Sequence, residues 1–331
     1  MKKALLATTA LFATAGIASA EIALSGSAQM GIIGGEFVQS DDIRDEFDNV
    51  IANPEGNADD VQFFTDIDVT FTLSGSTETG LTFGASIDLD ESDGDPSGAF
   101  SGDRQGGETI FVTGAFGTLT MGDTDGAYDF ALQETAIGGT LGDVHTSHSG
   151  YNGNSGLDGV GADGQVARYQ YTFGDFSLAA SFEIDDRGTD ADGEFDGDNI
   201  YGVGGTYTGE FGGFTLGFGL GYQEKGDSDV IGASVDARAG GFRIILNYSD
   251  FDEAPNDLDS HYSVAVGYDF EPFTVGFNYG VNDFNDGDAD GYGIAVGYDL
   301  GGATLQLGYG DGEDQDGVDA DGYSFGINMA F

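Results

Sequence analysis

From residue 21 to the last residue, apolar and polar side chains alternate with a period of two in short runs, and turn residues separate the runs. In a strand this period puts the apolar set on one face and the polar set on the other. Sixteen runs are legible, near residues 21–33, 61–73, 81–91, 109–115, 118–122, 166–173, 177–185, 199–208, 214–223, 230–239, 242–250, 261–270, 273–281, 291–300, 303–310 and 322–331. Short turns, such as Phe116-Gly117, Gly174-Asp175, Gly240-Gly241, Glu271-Pro272 and Gly301-Gly302, alternate with long acidic connections at 35–60, 91–107, 185–198, 250–260, 282–290 and 311–321. After Gly174 the short turns recur about every 30 residues. That spacing fits two strands of about 9 to 10 residues with one tight turn and one longer loop. The chain therefore reads as a row of antiparallel hairpins.

The charges decide what the apolar face meets. Phe63, Ile67, Val69, Phe71 and Leu73 share one register, as do Leu216, Phe218 and Leu220, and Phe273, Val275, Phe277 and Tyr279. The expectation is that no strand places a charge in this register. The opposite register carries Asp66, Asp68, Asp88, Asp90, Arg168, Glu183, Asp185, Asp236, Arg238 and Arg243. A soluble sandwich also alternates, but all four prolines fall in loops or turns and tyrosines recur at strand ends. Uninterrupted ladders and aromatic girdles are features of a membrane-spanning barrel. The fold class predicted is thus all-β, a transmembrane antiparallel β-barrel of about 16 strands. Tyr323, Phe325, Ile327, Met329 and Phe331 in the last strand would then close the ring against the first, near 22–32. A cation at Val275 should be costly on such a face, and one at Asn278, in the other register, should be tolerated.

Residues 1–20 stand apart. Lys2 and Lys3 precede an Ala/Leu-rich stretch over 4–17, and Ala18-Ser19-Ala20 has a small-x-small form. This predicts a secretory signal peptide cleaved after Ala20, which leaves 21–331 as one barrel domain. No later segment reaches the 18 to 20 or so apolar residues of a spanning helix. With 59 Asp and Glu against 9 Lys and Arg, nucleic acid is not an expected partner. The absence of cysteine excludes thiol catalysis and Cys-based zinc sites. The 26 Phe and 15 Tyr argue against a disordered acidic chain.

One connection, 123–164, spans 42 residues, a length that usually signals function. Ala127, Ala131, Leu132, Thr135 and Ala136 recur there at helical spacing, and Asp123, Asp125, Asp129, Glu134 and Asp143 supply carboxylates. These five are the candidate constriction if the connection folds inward, as the resemblance given below implies; a solvated external loop is the alternative. Asp66, Asp68, Asp88, Asp90, Arg168, Asp236, Arg238 and Arg243 are the candidate pore wall. His145 and His148 lack a neighbouring nucleophile motif and read as solvated loop histidines, so no enzyme is expected. Asp286, Asp288 and Asp290 match the first half of an EF-hand loop, but position 12 is Gly297 rather than Glu. Only loose Ca²⁺ or Mg²⁺ binding on outer loops follows, and no other cofactor is expected.

The stretches "EIALSGSAQMGI", "GAFGTLTMGDTDGAYD", "RYQYTFGDFSLAASFE" and the terminal "GYSFGINMAF" resemble, in that order, the general porins of Gram-negative outer membranes, most closely the alphaproteobacterial type. The resemblance implies a 16-stranded homotrimer in outer-membrane lipid and lipopolysaccharide, with the third loop folded into the lumen. It also implies an aromatic terminal strand read by the outer-membrane assembly machinery. Such porins commonly set a cluster of Arg and Lys opposite an acidic third loop. Here Asp66, Asp68, Asp88 and Asp90 occupy the early strands, and only three arginines are inward candidates. The expectation is a passive, water-filled, cation-preferring channel for small hydrophilic solutes. The alternatives are a substrate-selective channel, or a non-conducting structural, adhesive or calcium-binding β protein.

Overall fold

A computed structural model describes residues 21–36, 43–44, 50–52, 61–90, 104–158, 165–184, 198–254 and 257–331. The leader expected over 1–20, and Asp185, lie outside the described residues. Sixteen strands form one closed antiparallel barrel: β1 (Glu21–Gly35), β2 (Gln62–Ser76), β3 (Thr82–Asp90), β4 (Arg104–Gly114), β5 (Gly117–Asp123), β6 (Gln165–Phe173), β7 (Phe176–Glu183), β8 (Ile200–Phe211), β9 (Phe214–Lys225), β10 (Ser228–Ala239), β11 (Phe242–Asp252), β12 (Leu258–Phe270), β13 (Phe273–Phe284), β14 (Gly287–Asp299), β15 (Ala303–Glu313) and β16 (Asp319–Ala330). Each strand pairs with its neighbours in sequence. Ile43–Arg44 and Val50–Ala52 form a separate small pair.

The ring closes as the terminal alternation requires. β16 pairs antiparallel with β1, with Met30 opposite Ile327, Ile32 opposite Phe325 and Gly34 opposite Tyr323. Phe331 lies one residue beyond the strand, and its backbone N–H still donates to the Gly26 carbonyl at 2.9 Å. Its side chain is 65% exposed at the rim. Phe331→Asp replaces an interfacial aromatic on the closing seam with a charge. The expected result is a marked loss of folded protein from outer-membrane fractions, read by heat-modifiable mobility on gels.

The strands at the loop end run further than the alternation suggested. The connection expected over 282–290 is a hairpin in which β13 ends at Phe284 and β14 begins at Gly287. Asp286 sits in that turn, while Asp288 and Asp290 lie in β14, with Asp288 opposite Asp283. The EF-hand-like stretch is therefore ladder and not a free loop. Among the described residues no group of three or more His, Asp or Glu could hold a metal ion.

The longer strands also overturn the expectation of a charge-free outward register. Glu224 follows Tyr222 on the outer face of β9, Asp250 follows Tyr248 on β11, and Asp311 follows Tyr309 on β15. Each tyrosine hydroxyl donates to the carboxylate two residues on, at 3.1, 3.1 and 2.9 Å. Tyr279 reaches Asp290 across strands at 2.8 Å. These acids all lie beyond the tyrosines, toward the loop end. The apolar band thus ends at a ring of amphipathic tyrosines whose hydroxyls meet charge where lipid gives way to headgroups.

Candidate functional site: a loop laid along the inner wall

The long connection after β5 folds inside the barrel. It opens with a helix, α1 (Ala127–Ala131), that ends one turn earlier than its spacing suggested, because Leu132 takes an extended conformation. Ala127, Tyr128 and Ala131 face the wall and are fully buried. The chain then runs around the lumen. The Gln133 N–H donates to Ser234 of β10, Thr135 to Ser263 of β12, and the Gly142 N–H to Gln29 of β1. From there it returns past β15, β14 and β13 to Leu157, whose N–H donates to the buried Gln223 of β9.

This course requires glycine on the inner wall. A Cβ built at Gly204, Gly219, Gly276 or Gly293 would overlap the carbonyl oxygen of Ala127, Ala131, Ile137 or His145 respectively. Gly280 and Gly150 exclude a side chain from each other in the same way. Loop backbone rests directly on strand backbone, and a side chain would hold the two apart.

Between these contacts lie three apolar clusters, all facing inward. Tyr128, Leu132 and Leu157 pack on Ile200, Val230, Phe251 and Leu258. Leu141 and Val144 pack on Ile33 and Phe64, and Ile137 packs on Ile245 and Ala265. Inward apolar residues break strict alternation, and the doublets Ile32-Ile33, Phe63-Phe64 and Ile244-Ile245 were the signal for them. A strand with two apolar faces has something to cover on both.

Polar ties complete the seam. Asn247 donates to the Gln133 carbonyl and to Asn154, Asn278 to the His145 carbonyl, and Asn282 to the Ser149 carbonyl, at 2.7 to 3.1 Å. His145 and His148 are 4% and 3% exposed. The reading of them as solvated histidines is therefore corrected: loop and wall enclose them. Asn278 is likewise 2% exposed. It does not face open lumen, as its register alone suggested.

Among the described residues, α1 packs on β7–β9 and the turn at 141–146 packs on β14–β16 and β1, away from β3 and β4. Ser27 donates to Asp68 at 2.9 Å and Thr70 to Asp88 at 3.0 Å, while Ser86 pairs with Thr109 at 2.7 Å. Asp66 shares this inward register. Asp90 is the last residue of β3, opposite Asp68. These hydroxyls and carboxylates face the lumen by register.

The loop's free side is acidic. Asp125, Glu134 and Asp143 are exposed, and Tyr151 donates to Glu134 at 2.5 Å. Asp123, Asp125, Asp129 and Asp158 surround a recess of about 210 Å³ beside Val166. Asp158, which the sequence reading did not single out, accepts from the Gly126 N–H at 2.8 Å and so pins the end of the loop to its beginning. Burial first, then the charges of Asp125, Glu134 and Asp158, push the Asp129 carboxyl up to about 7. Burial likewise pushes Asp158 up to about 6.

Each of the three inward arginines has a carboxylate within reach, although Arg238 and Arg243 share one. Arg168 donates to the Asp125 carbonyl at 2.7 Å, lies 3.8 Å from its carboxylate and stacks over Phe130. Arg238 and Arg243, directly opposite each other on β10 and β11, share Asp236 at 2.7 and 3.1 Å. That pair sits beside the Gly240-Gly241 turn, at the short-turn mouth.

Three comparisons bear on this architecture. The chain matches the family model described as Gram-negative porin over residues 7–317. It is 30% identical over 267 residues to a porin of Rhodobacter capsulatus, covering 76% of this chain and 73% of that one. Among solved structures, a porin refined at 1.8 Å is 26% identical with a TM-score of 0.66. A multiply substituted porin of Rh. blastica is 17% identical with a TM-score of 0.68. Each alignment covers 94% of this chain and 100% of the other.

Proposed function

The chain belongs to the Gram-negative porin family, whose members are diffusion channels of the outer membrane, and from that premise we propose a cation-preferring, water-filled pore for small hydrophilic solutes. The observation that carries the preference is that carboxylates line the lumen from two sides, Asp88 on the strand wall and Asp125, Asp129 and Glu134 on the loop. Arg238 and Arg243 share the Asp236 carboxylate, and Arg168 is tied to the Asp125 carbonyl with its carboxylate 3.8 Å away. Fixed charges around a narrow, low-dielectric mouth enrich the opposite ion. At physiological ionic strength the Debye length is about 8 Å, so charges lining the passage act on an ion while distant rim acids are screened.

Reversal potential across a planar bilayer in a KCl gradient tests this. The wild type is expected to show a cation-selective sign. Asn at Asp66, Asp68 and Asp88 should weaken the preference, Asn at Asp125 with Gln at Glu134 should do the same, and the combined variant should nearly abolish it. An anion-selective sign in dilute KCl would overturn the reading.

The preference should also depend on pH. Asp129 and Asp158 take up protons as pH falls from about 8 to 5, because both are raised toward neutrality. A protonated carboxyl no longer attracts cations. The cation preference is therefore expected to decline over that range, and Asp129→Asn should flatten the upper part of the decline.

Assembly as a homotrimer in outer-membrane lipid with lipopolysaccharide, delivered by the assembly machinery, completes the proposal. The outward side chains Met30, Phe63, Ile110 and Met121 on β1, β2, β4 and β5 are all more than half exposed in the single chain. They supply apolar surface for a neighbouring subunit or for lipid.

A further inference from the structure

The chain has three histidines, and all three are buried on the seam where the returning half of the loop meets β12 to β15. His145 and His148 belong to the loop and His261 to β12. At His148 the hydrogen bonds indicate which nitrogen carries the proton. Asn278 donates its amide to the His145 carbonyl, so its oxygen faces His148 Nε2 at 2.9 Å, and that nitrogen must carry the proton. His148 Nδ1 is then a bare lone pair. It has no partner, and it packs against the Cα of Gly291, where not even a methyl group would fit.

His145 is bound in a similar way. The Thr140 hydroxyl oxygen accepts from the His145 N–H, which leaves its own hydrogen to donate to His145 Nδ1 at 2.9 Å. Nε2 of His145 is buried without a partner. Around His261 a relay runs from loop to wall and back. Thr135 donates to Ser263, which contacts His261 Nε2 at 2.9 Å, while His261 Nδ1 contacts the Asn282 oxygen at 2.9 Å and the Asn282 amide donates to the Ser149 carbonyl.

We propose that this seam is an acid-sensitive latch: protonation of His145 and His148 releases loop residues 140–151 from β12–β15 into the lumen and lowers the conductance. The inference rests on the channel reading. A second proton on His148 would place a charged N–H against Gly291, at a nitrogen that has no hydrogen-bond partner. On His145 it would point a donor at the Thr140 oxygen, which would have to give up its own donation. The groups around the pair do not offset this. The His145 ring meets the Thr140 hydroxyl, while its carbonyl meets Asn278 and the Gly293 backbone. His148 faces Asn278 of β13, Gly291 of β14, Gly312 of β15 and the Tyr151 ring at 6.1 Å. Asp290 and Asp311 reach His148 only through the wall, since both accept tyrosine hydroxyls on the outer face.

The direction follows from proton counting. A detached, solvated histidine titrates near 6.5, whereas burial, and then the neighbouring His148, pushes His145 down to about 4. His148 is lowered as well, chiefly by burial. The released loop therefore binds more protons than the latched one below pH 6.5 or so. The latch is fully held above that pH and weakens as pH falls. For His145 alone the latched-to-released ratio drops by about two orders of magnitude by pH 4.

The test uses the folded channel in planar bilayers at about 1 M KCl, where a Debye length of about 3 Å screens the influence of the acidic lining on permeating ions. Conductance is followed from pH 7.5 to 4, alongside amide hydrogen exchange of peptides covering 140–151. The wild type is expected to lose conductance severalfold while those amides exchange faster. The double variant His145→Asn, His148→Gln keeps a side-chain amide donor for Asn278 and has no imidazole to protonate in the loop, so it is expected to hold its pH 7.5 value. An equal acid loss in the double variant, or a wild type whose conductance and exchange ignore pH, would overturn the latch. A barrel silent at every pH would sink the channel reading instead, and the exchange data would still decide the latch.

Discussion

Gly293→Ala should dislodge the third loop while Gly297→Ala leaves it in place, although the two glycines lie on the same inward face of the same strand. At Gly293 the new methyl overlaps the His145 carbonyl oxygen. Backbone must move, since no flexible side chain can yield. At Gly297 the nearest atom is the Thr304 methyl at 3.4 Å, an ordinary contact. Overpacking costs about 1–3 kcal/mol where side chains can adapt. A clash with loop backbone falls at or above that range, and losing the seating of Leu141, Val144 and Ile137 adds to it. Gly293→Ala is therefore expected to yield a folded, noisy channel of reduced conductance with a protease-sensitive loop. The Gly297→Ala channel should be indistinguishable from wild type in both readings. Equal behaviour of the two variants would mean that the loop is not seated on β14.

Val275→Arg should be the most damaging single change to folding into a bilayer. Val275 sits on the outward face of β13, between Tyr268 and Val296 on the neighbouring strands, and an arginine near the midplane of the lipid-facing band costs about 2–4 kcal/mol. Asn278→Arg, on the opposite face, was expected from register alone to be harmless. The structure reverses that expectation. Asn278 is the tie between the His145 carbonyl and His148, and an arginine there would bury a cation beneath the loop with no carboxylate beside it. Its expected signature is nonetheless different. A folding titration into lipid vesicles should show Val275→Arg shifted strongly and Asn278→Arg much less, whereas loop proteolysis and channel noise should single out Asn278→Arg. Similar folding losses for both would show that the lipid and lumen faces of β13 have been misjudged.

The acidic character of the passage was legible as residue types but not as an arrangement. Asp66, Asp68 and Asp88 lie inward as their register required. Asp123, Asp125, Asp129 and Glu134 line the lumen, or the recess that opens onto it. Asp158 escaped notice because it belongs to no periodic run and acts by closing the loop on itself. The arginines were read as inward, which they are. Their pairing with Asp125 and Asp236 depends on strand register and loop placement together.

What the sequence determined by itself was the barrel. Period-two alternation, turn spacing and prolines confined to connections are local properties, and a strand that must satisfy its backbone in lipid has one solution, a closed antiparallel ring. Even closure was implied, because the terminal strand carries the same apolar face as the first. Local pattern misplaced the ends of strands, since acids beyond the tyrosine girdle look like loop residues when the membrane boundary is unknown. Only the tertiary structure decided the course of the third loop, and with it the position of the pore. That course is specified by glycines and inward apolar residues spread over most of the wall, each meeting a loop atom far away in sequence, as Gly293 meets His145 and Gln223 meets Leu157. A missing side chain carries no period of its own. Its meaning appears only when the backbone that fills the space is in place.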